Sequence, residues 1–324
     1  MAERTGDASM VALVLGFACL YFVWGGTFLA IRIALDTIPP LLLCGSRLLL
    51  AGVILLVWAK LSGTPWPRGK EWRHAALVGL MLPAAGNVSV TISETHVPSG
   101  VVALLLSTIP LWMALLASVG RSPSPPGRQA LVGLVMGFAG VALLIGPGLL
   151  PNAAHEFSPL WAIIPVLGAL SWAYGSLWSR RVAMPRSPLL GTAVGMTAGG
   201  IVLLAMSAGA GEFARFEPAR VTLGAVLSMT YLIVLGSVIA FSVYLYLLAR
   251  VRPEVVATYA FVNPVVAMAL GWAFAGEHLS PRTLTAAAIV IVSVALITTA
   301  RAPLASGALR ATAGNAGVAL AHKD

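Results

Sequence analysis

Apolar runs of bilayer length recur along this chain, and they limit its possible folds more than any other feature. Ten can be marked, near Met10–Ala34, Leu41–Lys60, Trp72–Ser93, Val97–Val119, Arg128–Gly146, Pro159–Ser179, Pro188–Ala208, Val221–Ala249, Glu254–Ala275 and Pro281–Arg301. A run of about 18 or more apolar residues reads as a helix that crosses the roughly 30 Å hydrocarbon slab at 1.5 Å per residue. With 59% of its 324 residues hydrophobic and only 10% charged, the chain has more apolar surface than a water-soluble core could absorb. An all-α integral membrane protein of ten transmembrane helices, in contact with the lipid bilayer, is expected. The first run is too long for a cleaved signal peptide and is expected to be retained.

The runs fall into two sets. Val101-Val102-Ala103, with Pro110 seven residues beyond the alanine, returns as Val255-Val256-Ala257 with Pro264, and Arg128 falls on Arg282 at the same offset of 154. At an offset of 148, Trp24 falls on Trp172, Arg32 on Arg180, Pro40-Leu41-Leu42 on Pro188-Leu189-Leu190 and Gly52 on Gly200. One short insertion in the second half reconciles the offsets, so the chain reads as an internal duplication. The units are expected at 10–146 and 159–301, joined by an exposed linker from Gly146 to Ser158. The Ala- and Gly-rich tail, 302–324, is expected to be disordered. Pro40, Pro188, Pro253 and Pro281 suit first-turn positions, and Ser280 suits an N-cap.

Basic residues are spread unequally over the two sides. One side holds fifteen of the twenty: Arg4, Lys60, Arg68, Lys70, Arg73, Arg121, Arg128, Arg180, Arg181, Arg186, Arg250, Arg252, Arg301, Arg310 and Lys323. The other holds Arg32, Arg215, Arg220 and Arg282, and Arg47 lies inside a run. Lys and Arg favour cytoplasmic loops, which places both termini in the cytoplasm. This bias accounts for the net charge of +9, and no nucleic-acid partner is expected. Five helices per unit is an odd number, so the second unit enters from the opposite face and the units are expected to be inverted repeats. Secondary transporters commonly have this architecture, with a midplane site exposed to each face in turn; some channels share it.

Two five-helix units, each opening with a Trp-containing helix and carrying an apolar-x-x-Pro element in its fourth helix, resemble the EamA-type members of the drug/metabolite transporter superfamily. Gly276-Glu277-His278-Leu279-Ser280 between the last two runs and Tyr21 to Arg32 are the most specific parts of the likeness, which spans nearly all of Met10 to Arg301. The first unit departs from it, with Gly120-Arg121-Ser122-Pro123 where Gly-Glu-x-Leu would recur. The resemblance implies a cavity among helices 1, 3, 4, 6, 8 and 9, a multi-pass place in the cell (inner) membrane, and a small-molecule substrate such as an amino acid, related metabolite or drug, moved outward.

No catalytic constellation is visible. His74, His96, His155, His278 and His322 lie in loops or at run ends, and the acids flank the runs instead of occupying their centres. Cys19 and Cys44 form no Cys-x-x-Cys, and no Gly-x-x-x-x-Gly-Lys-Ser/Thr loop occurs. No cofactor, metal site or enzymatic activity is therefore expected, although a channel-like or facilitative permease and an integral-membrane enzyme are the competing classes. Pro83, Asn87, Thr91 and Glu94 share one helical face, which should turn inward either to line a cavity or to bond neighbouring helices. Glu94 and His96, at the outer end of the run, form either a titrating pair or a plain interfacial one. Arg47 is either an anion contact in the cavity or a snorkelling or helix-end-paired cation. Trp24, Trp172, Tyr174 and Tyr244 lie deep in runs, where they either line a pocket or pack the core, and Gly25-Gly26 would allow close approach. Tyr259 and Asn263 precede Pro264, and the paired prolines Pro110 and Pro264 free backbone carbonyls at kinks expected to border the substrate.

Overall fold

The computed structural model describes residues 10–119, 127–145, 157, 159–248, 250, 251, 253–256 and 258–300. The tail 302–324, the linker apart from Phe157, and the Gly120–Pro123 segment lie outside these, as do Arg4, His155, Arg252, Arg301, Arg310, His322 and Lys323. Among the described residues every regular element is helical. Nine helices of the described residues are long and apolar enough to cross a membrane: α1 Met10–Ala34, α2 Pro40–Leu61, α3 Lys70–Ser93, α4 Ser99–Val119, α5 Arg128–Ile145, α6 Pro159–Ser179, α7 Pro188–Gly209, α8 Leu223–Leu247 and α10 Pro281–Thr299. Between the last two lies α9, Tyr259–Phe274, a shorter apolar helix of 16 residues.

The expected ninth run, Glu254–Ala275, is thus divided. A single turn, Pro253–Val256, precedes α9. At the break the Thr258 amide and hydroxyl both donate to the Val255 carbonyl, at 3.2 and 2.7 Å, and the hydroxyl meets the Tyr21 hydroxyl at 2.6 Å, so the backbone tightens to a bond three residues back that a side chain reinforces. Pro264 itself lies inside the continuous part of α9. In α4 the ladder is interrupted at Ser107-Thr108, just before Pro110, where both hydroxyls bond carbonyls three residues back. The two copies of the proline motif therefore break their helices one turn apart.

Helix starts follow local chemistry. Pro40, Pro188 and Pro281 open α2, α7 and α10, and the Ser187, Thr222 and Ser280 side chains accept the N-terminal amides of α7, α8 and α10. The outer surface is a continuous apolar coat, with Val53, Ile54 and Val57 on α2, Leu131 and Val135 on α5, Leu160 and Leu167 on α6, and Ile201 and Met206 on α7 all exposed. Such a coat is at home in lipid and costly in water.

Neighbouring helices pair in a pattern that recurs: α2 with α7, α5 with α10, α4 with α9, α1 with α8 and α3 with α6, α1 with α9 and α4 with α6. At the α2–α7 crossing a β-carbon on Gly45 would stand 2.9 Å from the Leu204 amide nitrogen, so the backbones approach as only glycine permits. At Gly26 an added carbon would meet the Tyr231 hydroxyl at 2.6 Å, so the missing side chain makes room for that ring of α8.

Candidate solute-binding cavity

Three helices carry a wide π-helical turn: Cys19–Trp24 in α1, Leu80–Ala84 in α3 and Leu232–Ile239 in α8. Such turns frequently mark functional sites, because they leave carbonyls outside the regular ladder. Here the neighbouring helix supplies the missing donors. Trp24 Nε1 donates to the Gly236 carbonyl at 3.0 Å, and the Tyr231 hydroxyl donates back to the Val23 carbonyl at 2.8 Å. From α9 the Asn263 amide lies 3.3 Å from the Tyr21 and Tyr259 carbonyls, and with its nitrogen turned toward them it donates to both. These bonds hold α1, α8 and α9 around a group of aromatic rings. Trp24 stands edge-on to Tyr259 with centroids 4.9 Å apart, 5.5 Å from Tyr244 and 5.8 Å from Phe241.

The rings border two cavities that meet. The deeper, about 140 Å³, is lined by Trp24, Thr27, Arg47, Asn87, Trp172 and Ser237 among others. A wider one, about 640 Å³, extends past Pro110, Pro264 and Tyr244 to Ser179 and the exposed Arg180. Phe28, Leu106, Ile109, Trp172, Tyr259 and Asn263 line both. Together they form a route from the middle of the bundle to the end at which α1 begins.

The opposite end is tied shut by polar contacts. Glu212, itself buried, accepts the Leu41 and Leu42 amides at 3.2 and 2.8 Å and the Ser207 hydroxyl at 2.8 Å, capping α2. Glu277 accepts the Ser99 and Gly100 amides at 2.6 and 3.2 Å, capping α4. Arg32 Nη1 donates to the Glu94 carbonyl at 2.6 Å, joining the ends of α1 and α3. The Ser93 hydroxyl reaches the Trp161 carbonyl on α6 at 2.9 Å.

Most of the expected residues converge. Trp24, Asn87, Trp172, Tyr244, Tyr259, Asn263, Pro110 and Pro264 all border one or both cavities. Thr91 does not; it is buried and donates to the Asn87 carbonyl at 2.8 Å, so the inward stripe on α3 is bonded along its own helix and only Asn87 reaches the opening. Tyr174, 52% exposed, points to the outer coat and borders neither cavity, since it lies two positions from Trp172 on a helix and so faces away from it. Glu94 and His96 form no ion pair among the described residues. His96 is exposed and stacks on Trp161 at 4.1 Å, whereas Glu94 turns inward with no partner for either carboxylate oxygen. Arg47 neither snorkels nor meets a helix-end acid: it is 6% exposed and borders the deeper cavity. Thr27, Ser237, Phe241 and Arg180 were not among the expected site residues. Single hydroxyls and rings in apolar runs give no signal, and Arg180 reads from sequence only as a loop charge.

The model of the EamA-like transporter family matches residues 11–146 and 159–299. The uncharacterized inner membrane transporter YedA of Escherichia coli K12 is 37% identical over 280 residues, covering 86% of this chain and 88% of YedA. Protein PecM of Dickeya dadantii is 29% identical over 277 residues, 85% of this chain and 88% of PecM. The "Probable terminal-alkyne amino-acid exporter" of Streptantibioticus cattleyicolor is 28% identical over 283 residues, 85% of this chain and 89% of the exporter. A protein crystal structure 19% identical in sequence superposes with a TM-score of 0.60 over 90% of this chain and 99% of its own, a likeness of fold alone.

Proposed function

The chain belongs to the EamA-like transporter family, and from that premise we propose that it carries small organic solutes such as amino acids and related metabolites across the cell membrane by alternating access, in the direction of export. The carrying observation is the route itself: cavities that join in the middle of the bundle and reach one end only, while carboxylate caps close the other. A carrier needs this asymmetry and a second state with the ends exchanged. Helix pairing supports the means of exchange. Relating α1–α5 to α6–α10 turns the α1–α8 contact into α6–α3 and α1–α9 into α6–α4, while α2–α7, α4–α9 and α5–α10 map onto themselves. Two inverted five-helix units with ten spans, α9 being the shortest, account for that pattern. The positive-inside tendency puts the Arg180 end in the cytoplasm with both termini, and the name of the Streptantibioticus relative supports export of amino-acid-like solutes.

Counterflow in proteoliposomes tests the reading. Vesicles preloaded with unlabelled amino acids are expected to take up a labelled one transiently and saturably, and Trp24→Ala and Asn263→Ala, which open the α1–α8–α9 bonding, are expected to lower the rate at least tenfold. Flux that never saturates and shows no counterflow identifies a channel-like permease instead.

A further inference from the structure

We propose that the solute held in the deeper cavity carries a carboxylate, bound by the guanidinium of Arg47, and that net anions are preferred over cations; this rests on the carrier reading above. Arg47 is 94% removed from solvent, yet its protein contacts satisfy little of it. Among the described residues only Nε finds an acceptor, the Ser237 hydroxyl at a long 3.3 Å. Among the described residues no carboxylate is ion-paired with it; the ion pair present is Arg220–Glu217, on the surface. A guanidinium stays charged, and its two terminal amino groups offer four further N–H donors. Nη2 lies beside Gly236, where a β-carbon would stand 3.6 Å from it, so the donors are held against the cavity wall and not within a protein cage.

A buried charge is costly unless it is paired and hydrogen-bonded. The planar fork of Arg47 matches a carboxylate, which can accept two parallel N–H bonds. The remainder of the lining decides between charge classes. Among the described residues, Arg47 and Arg180 are the charged ones bordering the two cavities and no Asp or Glu borders either; Glu94, near enough for its charge to act on Arg47, lies outside the lining. A cation would cross a positive path whose described lining offers no counter-charge, despite the aromatic faces of Trp24, Trp172 and Tyr259. An ammonium on a zwitterion would find only neutral oxygens, such as Asn87 Oδ1. The Thr27 and Ser237 hydroxyls and the Asn87 amide nitrogen in the lining already donate to the Trp24, Leu232 and Pro83 carbonyls, and one arginine cannot clothe the three oxygens of a phosphate, which narrows the class to a carboxylic acid with an apolar or aromatic body.

A matched trio tests this on the full chain: 3-phenylpropionate, L-phenylalanine and phenethylamine, which share a phenylethyl frame. Binding is read by quenching of tryptophan fluorescence and transport by counterflow. The expected order is acid, then zwitterion, then amine, with the acid at least tenfold tighter than the amine. Arg47→Met is expected to abolish acid binding while melting at or above the wild-type temperature, because it removes an unpaired buried charge. Should Arg47→Met not fold, Arg47→Lys decides: weaker acid binding at an unchanged melting temperature supports the assignment, and unchanged binding overturns it. Amine binding as tight as the acid, or acid binding retained in Arg47→Met, also overturns it. Acid binding without counterflow of any compound leaves the Arg47 site standing and removes the carrier reading. Counterflow of the amine alone does the reverse.

Discussion

Glu94 follows the last residue of α3 and is fully buried, with no hydrogen bond to either carboxylate oxygen. Burial pushes its carboxyl well above the usual carboxylate range, and the Glu277 carboxylate adds to this against the opposing charges of Arg32 and Arg47. The folded chain therefore keeps a proton that the unfolded chain releases near the ordinary value. Stability then falls as pH rises from that value toward the raised one. Glu94→Gln keeps the shape of the protonated acid and removes the loss. Melting curves in detergent should coincide for the two proteins at the acidic end and separate in favour of Glu94→Gln as pH rises; parallel curves across the range would show that folding does not raise the Glu94 carboxyl. Sequence brought Glu94 and His96 together because they are two positions apart. The chain reverses after Ser93, sending the imidazole outward onto Trp161 and the carboxyl inward. Arg47 was legible as an unusual charge, but which face of α2 it occupies depends on packing against α8, and no residue of α2 encodes that.

At the scale of elements, two connecting segments close their neighbours, one of them through the short helical turn Glu212–Arg215. Glu212 and Glu277 each satisfy two amides at a helix start that no residue of that helix could reach, and a charged acceptor there also meets the positive end of the helix dipole. Glu212→Ala leaves those amides and the Ser207 hydroxyl without their acceptor, and is expected to cost about 1–3 kcal/mol, read as a lowered melting temperature in detergent. Glu212→Gln retains one acceptor and should lose less; equal melting of both variants and wild type would show that water replaces the carboxylate. Gly276-Glu277-His278-Leu279-Ser280 stood out in the sequence, and its positive φ at Gly276 and the N-cap of Ser280 follow from it. That its glutamate serves α4 depends on a contact 178 residues away. The wide turns in α1 and α8 were not legible either, since Cys19–Trp24 and Leu232–Ile239 are ordinary apolar sequence and their carbonyls are satisfied across helices. Only Pro83, in the third, announces a local departure.

Over the whole molecule, the apolar runs and their repetition were legible because both are periodic properties of composition that a bilayer enforces. The pairing of helices was not, because most runs are apolar on nearly every side and side-chain pattern alone does not choose partners. The break before α9 escaped for the same reason, as it rests on Tyr21 meeting Thr258 from another helix. The central claim is that one end of the bundle closes when the other opens. Distances between spin labels test it most directly, in a Cys19→Ser, Cys44→Ala background reconstituted in bilayers. One pair, at the exposed Thr95 and His278, reports the capped end; another, at Arg181 and Arg250, reports the open end. Each pair should show two populations, and a saturating solute should shift both, the capped end lengthening as the open end shortens. Distances that stay single and fixed at both ends, or that lengthen together, would contradict alternating access.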